Sequence, residues 1–218
     1  MNSLSILAAA EAYVQKLFAG DSSGHDWWHV DRVRKVALQI AREERADLVT
    51  VELAALLHDV SDWKFAGGDH EAGPKQAKAW LLEHGASEAL ADHVATIVRE
   101  LSFKGAGVAT PMSSLEGACV QDADRIDAIG AIGVGRAFAY GGHKGRAMHD
   151  PSVPPQMHAD FAAYKKNDGP TINHFYEKLL LLKDRINTTA GKRIASQRHE
   201  FLVQFLDQFL AEWNGTAM

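Results

Sequence analysis

An all-α fold is what this sequence predicts, on three observations. Apolar residues recur at the spacing of a helix face along nearly the whole chain. No stretch alternates apolar and polar residues between turn signals, so no strand is expected. Helix start and stop residues punctuate the chain at helix-length intervals. The 218 residues suit one domain with a smaller appendage, and 46% apolar with 23% charged residues is ordinary for a soluble globular protein.

The elements follow in order. MNSLSILAAAEAYVQKLFAG lacks a basic n-region, and Glu11 and Gln15 interrupt its apolar residues, so it reads as a first amphipathic helix rather than a signal peptide. No segment has the apolar length of a membrane span, and a cytoplasmic protein is expected. HVDRVRKVALQIAREERA places Val30, Val33, Ala37, Ile40 and Ala41 on one helix face. VELAALLH, from Val51, is a short helix too apolar to be exposed and belongs at the centre. KQAKAWLLEHG ends on Gly85 as a C-cap. SEALADHVATIVREL starts from Ser87 as N-cap and buries Leu90, Val94, Ile97, Val98 and Leu101. Ser113-Ser114-Leu115-Glu116 reads as a capping box opening the helix that carries QDADRIDAIGAIG. FYEKLLLLKDRI and KRIASQRHEFLVQFLDQFLAEW are the last helices. The expected organisation is a helical core over 1–140, an irregular connection over 141–170, and C-terminal helices over 171–218 packed on the core. Within the connection, ADFAAYKK is capable of a short helix.

Charge and cysteine usage exclude several classes. A net charge of −5 with eleven neutral histidines gives no broad footprint for a nucleic-acid polymer. An anionic substrate would need a local basic pocket. The one cysteine, Cys119, excludes a disulfide framework and a thiolate zinc cluster. Its small apolar neighbours suit a buried residue rather than a reactive thiol.

Three separated helices offer imidazoles and carboxylates. HDWWHVDRV carries His25 and His29, and His29 is in line with the Val33 stripe. AALLHDVSDW carries the adjacent pair His58-Asp59 at the end of an apolar run. DADRID carries Asp122, Asp124 and Asp127. An ionised carboxylate buried alone costs several kcal/mol, so buried charges are paired or hold metals. Adjacent helical residues diverge by about 100°, so His58 and Asp59 converge only at a helix end. Imidazole with carboxylate suits a divalent ion such as Mn, Fe, Co, Ni, Zn or Mg. A satisfied core histidine is the competing reading of each imidazole.

The ordered set HVDRV, ALLHDV and DADRID resembles the HD-domain metal-dependent phosphohydrolases. HDWWHVDRV, QDADRIDAIGAIG and INHFYEKLLLLKDRINTTAGKRIA resemble a bacterial subgroup that includes nucleotide pyrophosphohydrolases. The core resemblance spans roughly 10–140, and the tail extends it to about Trp213. It implies metal ligands at His29, which precedes Arg32-Val33, at His58 and Asp59, and at Asp124 within Ala123-Asp124-Arg125. Asp122 is the rival for the last place. Dinuclear relatives carry extra histidines before the last aspartate. Here VRELSFKG has none, and His70, His84 and His93 match no pattern, so one metal ion is expected. DVSDWKF also departs from the Gly-Lys that follows the doublet in many relatives, which leaves Lys64 without a role.

The implied activity is metal-dependent hydrolysis of a phosphoester or phosphoanhydride in a small phosphorylated metabolite. A nucleotide is the leading substrate, and triphosphate pyrophosphohydrolysis is favoured over nucleotidase action. Two alternatives stand beside it: a nucleotide sensor that keeps the metal without turnover, and a di-iron oxygenase, against which the missing histidines speak. Lys104 and Arg125 are candidates to offset phosphate charge. Arg125 is equally a partner of Asp122 or Asp127 that orients the ligand helix. Asp62 is a candidate general base, with a helix-end carboxylate as the alternative. Trp27 and Trp28 suit core packing or a wall for a base. His174 and Lys178, one turn apart, are substrate-binding candidates against a solvated face above Phe175, Leu179 and Leu182. Lys144 and Arg146, beside Gly141, Gly142 and Gly145, suit a lid that carries charge over phosphates, or else a basic surface connection. No Gly-rich dinucleotide motif, P-loop or nucleophile elbow appears.

Overall fold

The computed structural model describes residues 3–19, 26–60, 71–101, 109–157 and 169–216. Among them are α-helices, two 3-10 turns and no strand, as expected. Asp62 and Lys104 lie outside the described residues, as do His25, Lys64, His70 and ADFAAYKK. The chain divides into two compact units. The first takes the described residues up to 101 with Ala109–Ala123, and the second runs from Asp124 onward. The division thus falls inside a helix, and residue 140 lies within the second unit.

In the first unit, α1 (Ser3–Leu17) buries Ile6, Ala10 and Val14, one per turn. The helix α2 (Trp27–Glu44) buries Val30, Val33, Ala37, Ile40 and Ala41, the stripe its periodicity indicates. That stripe turns Trp28 to the other side, where it is 62% exposed, so core packing is not its role. The central helix α3 (Leu48–Leu57) starts from Asp47, whose side chain accepts from Thr50 N at 2.8 Å. Leu53 to Leu57 are without solvent exposure on every face, because α3 packs against α1, α2 and α5. Each leucine buried this way contributes about 1.5–3 kcal/mol.

The pair α4 (Ala72–Glu83) and α5 (Glu88–Glu100) is joined through Gly85 at φ 80°, the left-handed conformation glycine takes without a Cβ clash. Ser87 caps α5 by accepting from Leu90 N. His84 stacks on Trp80 at 3.9 Å, and His93 stands 3.8 Å from Glu116, so both have local partners.

The expected capping box is displaced by one residue. In α6 (Leu115–Asp127), Ser114 accepts from Gly117 N at 3.1 Å, while Ser113 donates to Glu100. Glu116 is then one position short of the box and accepts from Asp47 N at 3.0 Å instead. It ties the start of α6 to the start of α3. Cys119 is buried, and burial pushes its thiol up to about 12, which makes it a packing residue.

In the second unit, α7 (Gly130–His143) packs on α8 (Thr171–Glu177) and α9 (Thr189–Trp213). Phe138 stands 5.9–6.0 Å from Phe175, Phe205 and Phe209, joining the three helices. Two expectations change here. FYEKLLLLKDRI is not one helix: α8 stops at Glu177, and 3-10 turns follow at Leu179–Leu181 and Lys183–Arg185. Four successive leucines cannot share one α-helical face. A repeat of about three residues puts Leu179 and Leu182 on the same side, and both are buried.

The connection is also less irregular than expected. Its first residues belong to α7, and its described part is fastened to α8. Thr171 N donates to Ala147 O at 2.9 Å, Asn173 to Val153 O at 2.9 Å, and Gln156 N to Glu177 at 2.9 Å. Gly141 is helical, and a Cβ there would lie 2.2 Å from Thr171 Oγ1, so it serves close packing rather than a hinge. Gly145, at φ 68°, is the turn glycine.

Candidate metal centre

His29 and the doublet are positioned by two helix ends. Asp26 caps α2 and accepts from His29 N at 2.9 Å, which fixes the first turn and aims the imidazole inward. His29 is 1% exposed. His58 occupies the C-cap of α3, and 58–60 form a turn in which Val60 N donates to Leu57 O. Two adjacent side chains can converge there, as helical geometry requires.

They converge closely. His58 Nε2 lies 3.3 Å from His29 Nε2 and 3.3 Å from Asp59 Oδ2, and His29 Nε2 lies 3.4 Å from the same oxygen. The rings meet edge to face at 5.3 Å. His58 Nδ1 donates to the Ala55 carbonyl at 2.7 Å. A carbonyl only accepts, so that bond places the ring proton on Nδ1 in the neutral imidazole and directs the Nε2 lone pair at the other two atoms. Burial works to raise the Asp59 carboxyl, but the charge of His58 and hydrogen bonds from His29 and His58 outweigh it. Those two His58 contributions belong to the imidazolium, in which Nε2 also carries a proton; with a cation at that position the group sits well below the usual carboxylate range and is ionised.

This donor set suits a divalent cation. Ligand atoms about 2.0–2.2 Å from an ion, at angles between octahedral and tetrahedral, stand roughly 2.8–3.6 Å apart. The triangle of 3.3–3.4 Å falls in that range. His29, His58 and Asp59 are the group among the described residues whose ligand atoms could hold a metal together. Three of the four expected ligands therefore meet. Asp124, the fourth, lies on α6 at the start of the second unit and is part-buried, whereas its rival Asp122 is fully enclosed.

The remaining candidates distribute as follows. Arg125 is buried and donates to the Arg185 carbonyl, and Asp127 is held by Arg136 at 2.8 Å. Sequence reasoning missed both of those partners. It also missed the capping role of Asp26, which was legible as an aspartate three residues before an inward histidine at a helix start. In the second unit, Lys144 and Arg146 each lie 5.7 Å from the centroid of the Tyr140 ring. Burial, then the charges of Lys178 and Arg146, push the part-buried His174 down from an ordinary 6.5 to about 3. The four substrate-binding candidates thus form one cationic neighbourhood, with His174 neutral.

The lowered His174 pKa has a stability consequence. Between about pH 3 and 6.5 the unfolded chain binds a proton at this residue that the folded chain does not. Stability therefore falls as pH drops below 6.5, and none of this loss is present above it. Denaturant unfolding at pH 7 and pH 5 should show a smaller acid loss in His174→Gln than in the unmodified protein. Equal losses would contradict the burial of a neutral ring.

The comparisons with known proteins give the family. The HD domain family model matches residues 27–129, which include His29, His58, Asp59 and Asp124. The uncharacterized protein YpgQ of Bacillus subtilis is 39% identical over 197 residues, covering 90% of this chain and 88% of YpgQ. A crystal structure of a Lactobacillus plantarum protein superposes with a TM-score of 0.87 at 36% identity, covering 99% of this chain and 100% of its own. A Bacillus thuringiensis HD-superfamily hydrolase superposes at 0.76 with 41% identity, covering 98% and 99%. YpgQ in complex with ADP superposes at 0.76 with 33% identity, covering 97% and 96%.

Proposed function

This chain belongs to the HD domain family, and on that premise we propose that it is a metal-dependent phosphohydrolase acting on a small phosphorylated metabolite, a nucleotide before all others. The observation that carries the proposal is the triangle of His29 Nε2, His58 Nε2 and Asp59 Oδ2. Asp124 is the proposed fourth ligand, supported by its place in Ala-Asp-Arg and by a partial exposure like that of His58 and Asp59. When bound, a divalent ion supplies Lewis acidity toward a phosphoryl oxygen and toward the attacking water. The chain's own part is to hold His58 in one tautomer through Ala55, and to keep Asp59 ionised. Lys144, Arg146 and Lys178 offset phosphate charge, and neutral His174 offers a hydrogen bond beside them. Asp62 is proposed as general base and Lys104 as a further phosphate contact. The bond from Arg125 to the Arg185 carbonyl favours its orienting role over contact with phosphate.

The ADP complex of YpgQ supports a nucleotide as ligand, and the subgroup tail supports a triphosphate cut to monophosphate and pyrophosphate. No helix among the described residues is long and apolar enough to cross a membrane. A panel of mono-, di- and triphosphates with manganese, read separately for phosphate and pyrophosphate, tests the reaction. Pyrophosphate from triphosphates is the expected result. Phosphate alone would replace it with nucleotidase action, and no turnover on any compound would contradict the class. In the same assay, Lys144→Ala with Arg146→Ala should raise KM roughly tenfold or more at unchanged metal content, the loss expected for charge-assisted bonds to phosphate. An unchanged KM would remove these two residues from the site.

A further inference from the structure

We propose that Arg198 and Arg136 are positioning residues for Asp124: they lock the end of α6, so that α7 and the C-terminal helix α9 set the geometry of a metal ligand. This rests on the reading of Asp124 as a ligand. After Asp124, α6 ends within three residues, and each of those residues has its own anchor. Arg125 donates to the Arg185 carbonyl. The Ile126 carbonyl accepts from Arg198 Nη1 at 2.7 Å, a contact between residues 72 apart in sequence. The Asp127 carboxylate, 1% exposed, accepts from Arg136 Nη1 at 2.8 Å.

The physical need is plain. The last turn of a helix has carbonyls without helical partners and opens at small cost. A ligand on that turn must be held within about 0.5 Å to keep a metal geometry. The Ile126 carbonyl accepts a long 3.3 Å turn bond from Ile129 N, and the guanidinium is a second, shorter donor to it that places positive charge at the negative helix end. The Arg198 stem reinforces the turn by lying against Gly130, where φ is 74° and a Cβ would come within 3.0 Å of Arg198 Cβ and Cγ. Arg136 then joins α7 to the same turn through a buried carboxylate. The docking of α9 does not depend on Arg198, because Phe205 and Phe209 pack on Phe138 independently. Loss of the clamp can therefore be separated from loss of the fold.

The test is manganese binding to metal-depleted protein, followed by the electron paramagnetic resonance of free manganese, with thermal unfolding of the metal-free protein alongside. Arg198→Met should weaken binding about 10–100-fold, the range for residues that orient a metal ligand, while unfolding stays cooperative. Arg198→Lys, which can still donate to the Ile126 carbonyl, should recover part of the affinity. In an Asp124→Ala background, Arg198→Met should have no further effect. Wild-type affinity in Arg198→Met, beside weakened binding in Asp124→Ala, would overturn the positioning role alone. An equal loss from Arg198→Met with or without Asp124 would also overturn it. Unchanged affinity in Asp124→Ala would overturn the ligand reading beneath it. If Arg198→Met does not fold, Arg136→Gln carries the same comparison.

Discussion

Purified His58→Ala protein should contain less than about a tenth of the metal found in the unmodified protein, which should hold about one ion per chain. Its hydrolytic turnover should fall by more than about 100-fold, since partners that only orient a ligand already cost 10–100-fold when removed. His58 is central to the triangle because its Nε2 stands 3.3 Å from both other ligand atoms. Its removal also leaves Asp59, on the next residue, without the imidazole charge that holds its carboxyl low. The fold should survive, because Leu53 to Leu57 of α3 are buried independently of the imidazole. Elemental analysis with far-ultraviolet circular dichroism separates the two outcomes. Full metal retention in a folded variant would remove His58 from the centre.

Gly133→Ala should be strongly destabilising. A Cβ at this position would lie 2.2 Å from the Ala128 carbonyl oxygen and 2.5 Å from its carbon. Both are backbone atoms, so no side chain can swing aside, and the turn between α6 and α7 must open. Overpacking of this kind costs about 1–3 kcal/mol. At roughly 2–4 °C per kcal/mol for a chain of this size, Tm should fall by several degrees. With Asp124 as the proposed fourth ligand, metal affinity should fall with it, because Ala128 closes the turn that follows Asp124. Gly135→Ala is the control: it lies in the same helix with nothing within 4 Å of its Cβ. Alanine there should stabilise by about 0.5–1 kcal/mol. Similar shifts in the two variants would contradict the packing of the α6–α7 turn.

The parts legible in the sequence were those governed by one local period. The apolar stripe of α2 is by itself enough to aim His29 inward. The geometry of adjacent residues put His58-Asp59 at a helix end, and α3 does stop at Leu57. What stayed hidden depended on partners far along the chain. Glu116 fitted a capping box by spacing, but Asp47 on another element competes for it. The four leucines from Leu179 satisfied helical propensity, yet burial of Leu179 and Leu182 on one side selected a tighter turn. Arg198 carried no motif, because a guanidinium bonded to a carbonyl 72 residues away leaves no spacing to read. Gly141 looked like a hinge because conformational freedom and close packing both select glycine, and only the neighbouring Thr171 distinguishes them.

The central claim is that His29, His58 and Asp59 hold one divalent ion for phosphate chemistry. A crystal of the protein grown with manganese, with anomalous scattering measured at the manganese edge, tests it most directly. One peak per chain is expected, about 2.0–2.2 Å from His29 Nε2, His58 Nε2 and Asp59 Oδ2, with Asp124 as the remaining protein ligand. A peak bound by other residues, or no peak within reach of these three atoms at saturating manganese, would contradict the account.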